Sequence, residues 1–106
     1  MSDKHKKTQD RLKNLGNAVD ALVDEEEVYT FLRDLLTKAE QETLGMRWEI
    51  AKLLDSGVPY TKIEEITGAS SATIAKVNEF LKYGYDGYRL AIDRSGQSVD
   101  IEGSDK

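Results

Sequence analysis

The chain has 106 residues, 39% of them hydrophobic, a formal net charge of −5, a single histidine and no cysteine. This length fits one domain with a modest core that a second subunit would help to cover, and the missing cysteine excludes disulfides, a thiolate nucleophile and a Cys-ligated zinc site. No apolar run approaches the roughly 18–20 residues that span a bilayer, and the start "MSDKHKKTQDRLKNLG" lacks the apolar stretch of a signal peptide, so the sequence reads as a cytoplasmic protein with no membrane partner.

Charge is segregated along the chain. Residues 1–15 carry five basic and two acidic side chains, residues 16–56 four basic and ten acidic, and residues 57–90 four of each. Residues 1–9 read as a flexible basic arm. Two roles are open for it: neutralising phosphates beside a nucleic-acid-binding domain, or simply fraying into solvent.

Helix signals dominate from there on. A short polar residue followed three places later by glutamate occurs at Asp24 with Glu27, Thr37 with Glu40, and Thr61 with Glu64. Each pair suits a capping box, in which the first side chain accepts from an orphan N–H and the glutamate reaches back. The pattern predicts a first helix near 8–22, a second near 25–36, a third near 38–55 and a fourth near 61–67. Ser70 offers the cap of a fifth over 71–83, and "YDGYRLAID" supports a short sixth. No useful strand-period alternation appears, so the fold class is all-α, with about six helices over a domain at 10–93. The polar, Gly/Ser-rich residues 94–106 are expected to be a disordered tail.

The stretch "YTKIEEITGASSATIAKVNEFL" places one glycine between two helical segments. Gly68 stands where the chain must turn with positive φ, which glycine adopts without a Cβ clash. Ile63, Ile66, Ala69, Ile74, Val77 and Leu81 supply apolar contacts to lock the two helices. This is the spacing of a helix-turn-helix at 61–83, whose second helix can enter a DNA major groove. At 100° per residue, Ile74, Val77, Phe80 and Leu81 fall within an arc of about 120°, which is assigned to the core. Ser71, Ala75, Asn78 and Lys82 lie opposite, flanked by Ala72, Lys76 and Glu79. Small side chains there let the backbone approach base edges and let alanine methyls meet thymine methyls. An ordinary solvated face would look similar, though usually richer in Glu and Lys.

In "LGMRWEIAKLL", Leu44, Met46, Trp48, Ile50, Ala51, Leu53 and Leu54 spread over roughly 220°, more than one covered side requires. Arg47 projects inside that arc, where a guanidinium needs a carboxylate or an anionic ligand. Both an ion pair, within the subunit or across a dimer, and a bound anion satisfy that need.

The run from Leu36 to Leu81 resembles the Trp repressor family: "LTKAEQETLGMRWEIAKLL" is similar to its third helix and "TGASSATIAKVNEFL" to its turn and recognition helix. "LKYGYDGYRLAI" resembles the Trp-repressor-related subgroup labelled YerC/YecD. The resemblance implies six helices in an intertwined homodimer, with two reading heads entering successive major grooves of double-stranded DNA at a pseudo-palindromic operator. The function implied is a sequence-specific transcriptional regulator, expected to repress by occupying promoter DNA. Ser71, Ala72 and Ala75 match the family's base-facing positions. With Lys76, Asn78, Glu79, Lys62 and Lys82 they form the expected DNA-binding set.

The resemblance also implies an effector set at Arg47, Thr37, Thr73 and Lys76, the last replacing an arginine. Val77 stands where the family keeps a glycine beside a bound indole, and its methyls would intrude there. Free tryptophan is therefore not the expected corepressor; another small molecule, or none, is. Thr61 and Glu64 replace basic side chains directed at phosphate, so moderate affinity is expected, with Lys62, Lys76, Lys82 and residues 4–13 compensating. The alternative is a dimeric protein-interaction module of the transcription machinery that keeps the fold without specific DNA binding, which the acidic stretch 20–49 favours. No catalytic or metal site is expected. His5 lies in the arm, and the "DEEE" at 24–27 suits a helix N-terminus and its dipole.

Overall fold

The computed structural model describes residues 2–96; of the tail expected at 94–106, residues 94 and 95 belong to the last helix and 97–106 lie outside the described residues. The described residues form six helices and no strand: α1 (Ser2–Asp20), α2 (Glu25–Leu35), α3 (Lys38–Asp55), α4 (Tyr60–Thr67), α5 (Ser71–Tyr83) and α6 (Gly87–Ser95). Two compact units divide the chain, Met1–Gln41 and Glu42–Lys106.

In the first unit, α1 begins at Ser2, so residues 2–9, expected as a flexible arm, are its opening turns. Asp24 caps α2 by accepting from Glu27 N–H at 3.0 Å, while the Glu27 carboxylate reaches back to Val23 N–H at 2.9 Å, one residue further than a regular box. Thr37 and Glu40 form the full reciprocal box at the start of α3. The Gln41 amide donates to the carbonyls of Leu36 and Arg33, satisfying two acceptors that the end of α2 leaves open. None of this unit's described side chains is buried, and Leu12, Val23, Tyr29 and Leu35 are exposed.

The second unit holds the core: Ile50, Ala51 and Leu53 of α3, Val58 of the following loop, Ile63 of α4, Ala69 of the turn, and Ile74 and Val77 of α5. Ile92 of α6 is also buried. At the end of α3, Gly57 (φ 84°) donates to Leu54 O and Val58 to Leu53 O, the Schellman arrangement, with Leu53 and Val58 both buried. Arg89 of α6 pairs with Asp55 at the same end and with Asp93 at 3.2 Å on its own helix. The Asp55 hydrogen bond, then that of Asp93, raises the guanidinium pKa above its ordinary value.

Four local expectations change. The Thr61–Glu64 box does not form, because α4 starts at Tyr60 behind Pro59, which has no side-chain cap. Pro59 supplies the fixed φ and a carbonyl that accepts from Lys62 and Ile63, and this leaves Thr61 inside the helix. Phe80, assigned to the core arc, is 59% exposed; it lies about 120° around the helix from Ile74, and the buried face does not extend that far. Ile66 is exposed as well, at 47%, so Ile63 and Ala69 carry the inward contacts instead. Arg47 is exposed, and the apolar arc around it is buried only at Ile50, Ala51 and Leu53.

Candidate nucleic-acid interface

Hydrogen bonds fix the joint between α4 and α5. Gly68 adopts φ 78° and donates to Glu64 O. The Thr67 hydroxyl donates back to Ile63 O at 2.8 Å and accepts from Ala69 N–H at 3.1 Å. Ser70 Oγ caps α5 by accepting from Thr73 N–H, and donates to Thr73 Oγ1, both at 3.1 Å. Ala69, Ile74 and Val77 are buried beneath the turn, so the start of α5 is held from inside by packing and from outside by its cap.

That anchoring leaves one face of α5 in solvent. Ser71, Ala72, Ala75, Lys76, Glu79 and Lys82 are exposed, and Asn78 is half-buried. The first turn and a half therefore offers hydroxyl, methyl and little else, while Lys76, Glu79 and Lys82 bring charge further along. Lys62, expected among the DNA contacts, is exposed on α4, where its ammonium lies 3.6 Å from the Glu65 carboxylate.

Of the expected effector residues, Arg47, Thr73 and Lys76 line one hollow of ≈ 350 Å³ with Glu42, Thr43, Met46 and Val77. Thr37 belongs to the first unit, where its hydroxyl is engaged in capping α3. Val77 is 4% exposed and part of the hydrophobic core. A second hollow of ≈ 710 Å³ shares Arg47, Lys76 and Val77 and is walled by Trp48, Phe80, Tyr85 and Tyr88. Sequence reasoning missed these aromatic walls because it placed Phe80 in the core. The signal was the density of aromatics around two glycines in "FLKYGYDGY".

A family profile described as Trp repressor protein matches residues 10–96. The chain belongs to the Trp repressor family. It is 44% identical over 95 residues to the uncharacterized protein YerC of Bacillus subtilis (strain 168), covering 90% of each. It is 42% identical over 53 residues to a Trp operon repressor homolog of Actinobacillus succinogenes, a match spanning 49% of this chain and 52% of that protein. The crystal structure of a TrpR-like protein from Eubacterium eligens superposes with a TM-score of 0.78 at 40% identity, over 86% of this chain and 94% of that one. The six-helix fold is thus that of the Trp repressor family, whose members are DNA-binding regulators rather than enzymes. Among the described residues no group of His, Cys, Asp or Glu is arranged to hold a metal ion, and no helix is long and apolar enough to cross a membrane.

Proposed function

We propose that the protein is a sequence-specific transcriptional regulator of the cytoplasm, a homodimer that represses by placing two copies of α5 in successive major grooves of a pseudo-palindromic operator. The observation that carries this is the rigidly seated start of α5, with Ser71, Ala72 and Ala75 exposed above buried Ile74 and Val77. Bulky or acidic side chains there would hold the backbone away from base edges; these do not. Lys76 and Lys82 lie on the same side to approach phosphates, and Arg47, Thr73 and Lys76 share a hollow suited to a small anionic effector.

Free tryptophan is not that effector. A side chain that is 4% exposed and packed into the core cannot turn aside for an indole without opening a cavity, so Val77 favours a different ligand or none. Calorimetric titration of the purified protein with tryptophan should show no saturable heat, and a micromolar isotherm would overturn the claim.

Selection of DNA from a random pool, at about 100 mM salt so that nonspecific phosphate binding does not mask preference, tests the main proposal. An enriched, roughly two-fold-symmetric motif is expected. A folded protein that enriches nothing would instead favour a protein-interaction module.

A further inference from the structure

The pairing of Lys62 with Glu65 points to a role for a carboxylate in setting DNA affinity. We infer that Glu65 attenuates phosphate binding by the helix-turn-helix, holding back the lysine that α4 presents to the DNA backbone; this rests on the DNA-binding function proposed above.

In a helix-turn-helix the second helix reads base edges while the first crosses the sugar-phosphate backbone. Here that first helix is α4, and its sequence YTKIEEIT carries one cation, Lys62, against two carboxylates, Glu64 and Glu65. Lys62 and Glu65 stand one helical turn apart, with side chains 61% and 73% exposed and charged atoms 3.6 Å from each other. Ile63, between them in sequence, is fully buried, which fixes the helix's rotation and keeps both residues on the solvent side.

So exposed an ion pair adds little to stability, because water screens it and two long side chains must be ordered to form it. Its charge matters more to a polyanion. A phosphate approaching Lys62 must displace or repel Glu65, and a lysine already neutralised releases no counterion when it meets DNA. Glu64 is half-buried whereas the Glu65 side chain is 73% exposed, so Glu65 is the carboxylate that can be removed without touching the fold.

The test compares wild type, Glu65→Gln and Glu65→Gln/Lys62→Gln on the DNA motif enriched by selection, across a salt series from about 50 to 300 mM. Circular dichroism would confirm that all three are folded. Glu65→Gln should tighten binding roughly five-fold at low salt, about the strength of one unit-charge contact at 4 Å in water. It should also steepen the slope of log K against log salt by about 0.9, the signature of one further phosphate contact. The double variant should lose both gains. Wild-type affinity and slope in Glu65→Gln would overturn the inference while leaving the DNA-binding proposal intact. Gains that persist in the double variant would overturn it too, since Glu65 would then act on phosphate directly rather than through Lys62. If neither wild type nor Glu65→Gln binds any DNA at the lowest salt, the function proposed above falls first.

Discussion

Two single residues carry much of the chemistry, and both are small. Ala75 lies at the centre of the exposed α5 face, four residues after Ser71 and one turn before Glu79. Ala75→Glu would add a charge and three heavy-atom bonds' length where close approach to base edges is needed, yet glutamate is a good helix former at an exposed site. The substitution should therefore leave the melting temperature within about 2 °C of wild type, since surface changes rarely exceed about 0.5 kcal/mol, and abolish binding to a selected operator in a gel-shift or anisotropy assay. Retained affinity would mean that another face reads DNA. Gly84 is constrained for the opposite reason. A Cβ on it would lie 2.5 Å from the carbonyl oxygen of Phe80, a backbone atom that cannot swing aside. Gly84→Ala should cost about 1–3 kcal/mol, the usual range for forced overpacking, measurable as a lower urea midpoint. The nearby turn also holds Asp86 at φ 66°, a conformation unusual for a residue with a Cβ.

At the scale of elements, the quality of a cap separates what could be read in the sequence from what could not. Ser70 and Thr61 both looked like helix starts, but only Ser70 has its hydroxyl on an orphan N–H. Ser70→Ala should destabilise the protein by about 1 kcal/mol, whereas Thr61→Ala, on the exposed side of α4, should be nearly neutral or slightly stabilising through helix propensity. Thermal melts of the two variants side by side check this, and equal losses would contradict the cap assignment. The sequence marked Asp24, Thr37, Ser70 and Gly68 reliably because each acts through residues three or four places away. Pro59 overrode the Thr61 signal by starting the helix earlier, a competition between two local rules that spacing alone does not rank. Phe80 went astray for a longer-range reason: the arc it shares with Ile74 exists on the helical wheel, but how far the core extends along α5 depends on α3 and α6 packing against it. The groove lined by Phe80, Trp48 and Tyr88 draws on all three of those helices, so no contiguous stretch displayed it. Arg47 lies inside an apolar arc on the wheel and yet is exposed for the same reason, the arc being wider than the surface one chain covers.

For the molecule as a whole, the first unit poses the largest imbalance. Isolated helices of this length are marginal in water and draw most of their stability from tertiary packing of an apolar face. Yet no described side chain of the first unit is buried, and Leu12 is 63% and Leu35 45% exposed. The homodimer proposed above would bury this surface against a second copy of the chain. Mass action then makes stability depend on concentration. The melting temperature should rise between about 2 and 200 µM protein, and sedimentation should give twice the mass of one chain. Leu12→Glu and Leu35→Glu sharpen the distinction, since leucine and glutamate have similar helix propensities. On a monomer, an exposed leucine replaced in this way changes stability by at most about 0.5 kcal/mol. Within an interface the same change places a charge among apolar side chains and costs about 2 kcal/mol or more, enough to shift the dimer towards monomer by at least about thirty-fold in its dissociation constant. A concentration-independent melt together with two silent variants would show that the first unit holds its helices without a partner, and would remove the paired reading heads on which a two-fold operator depends.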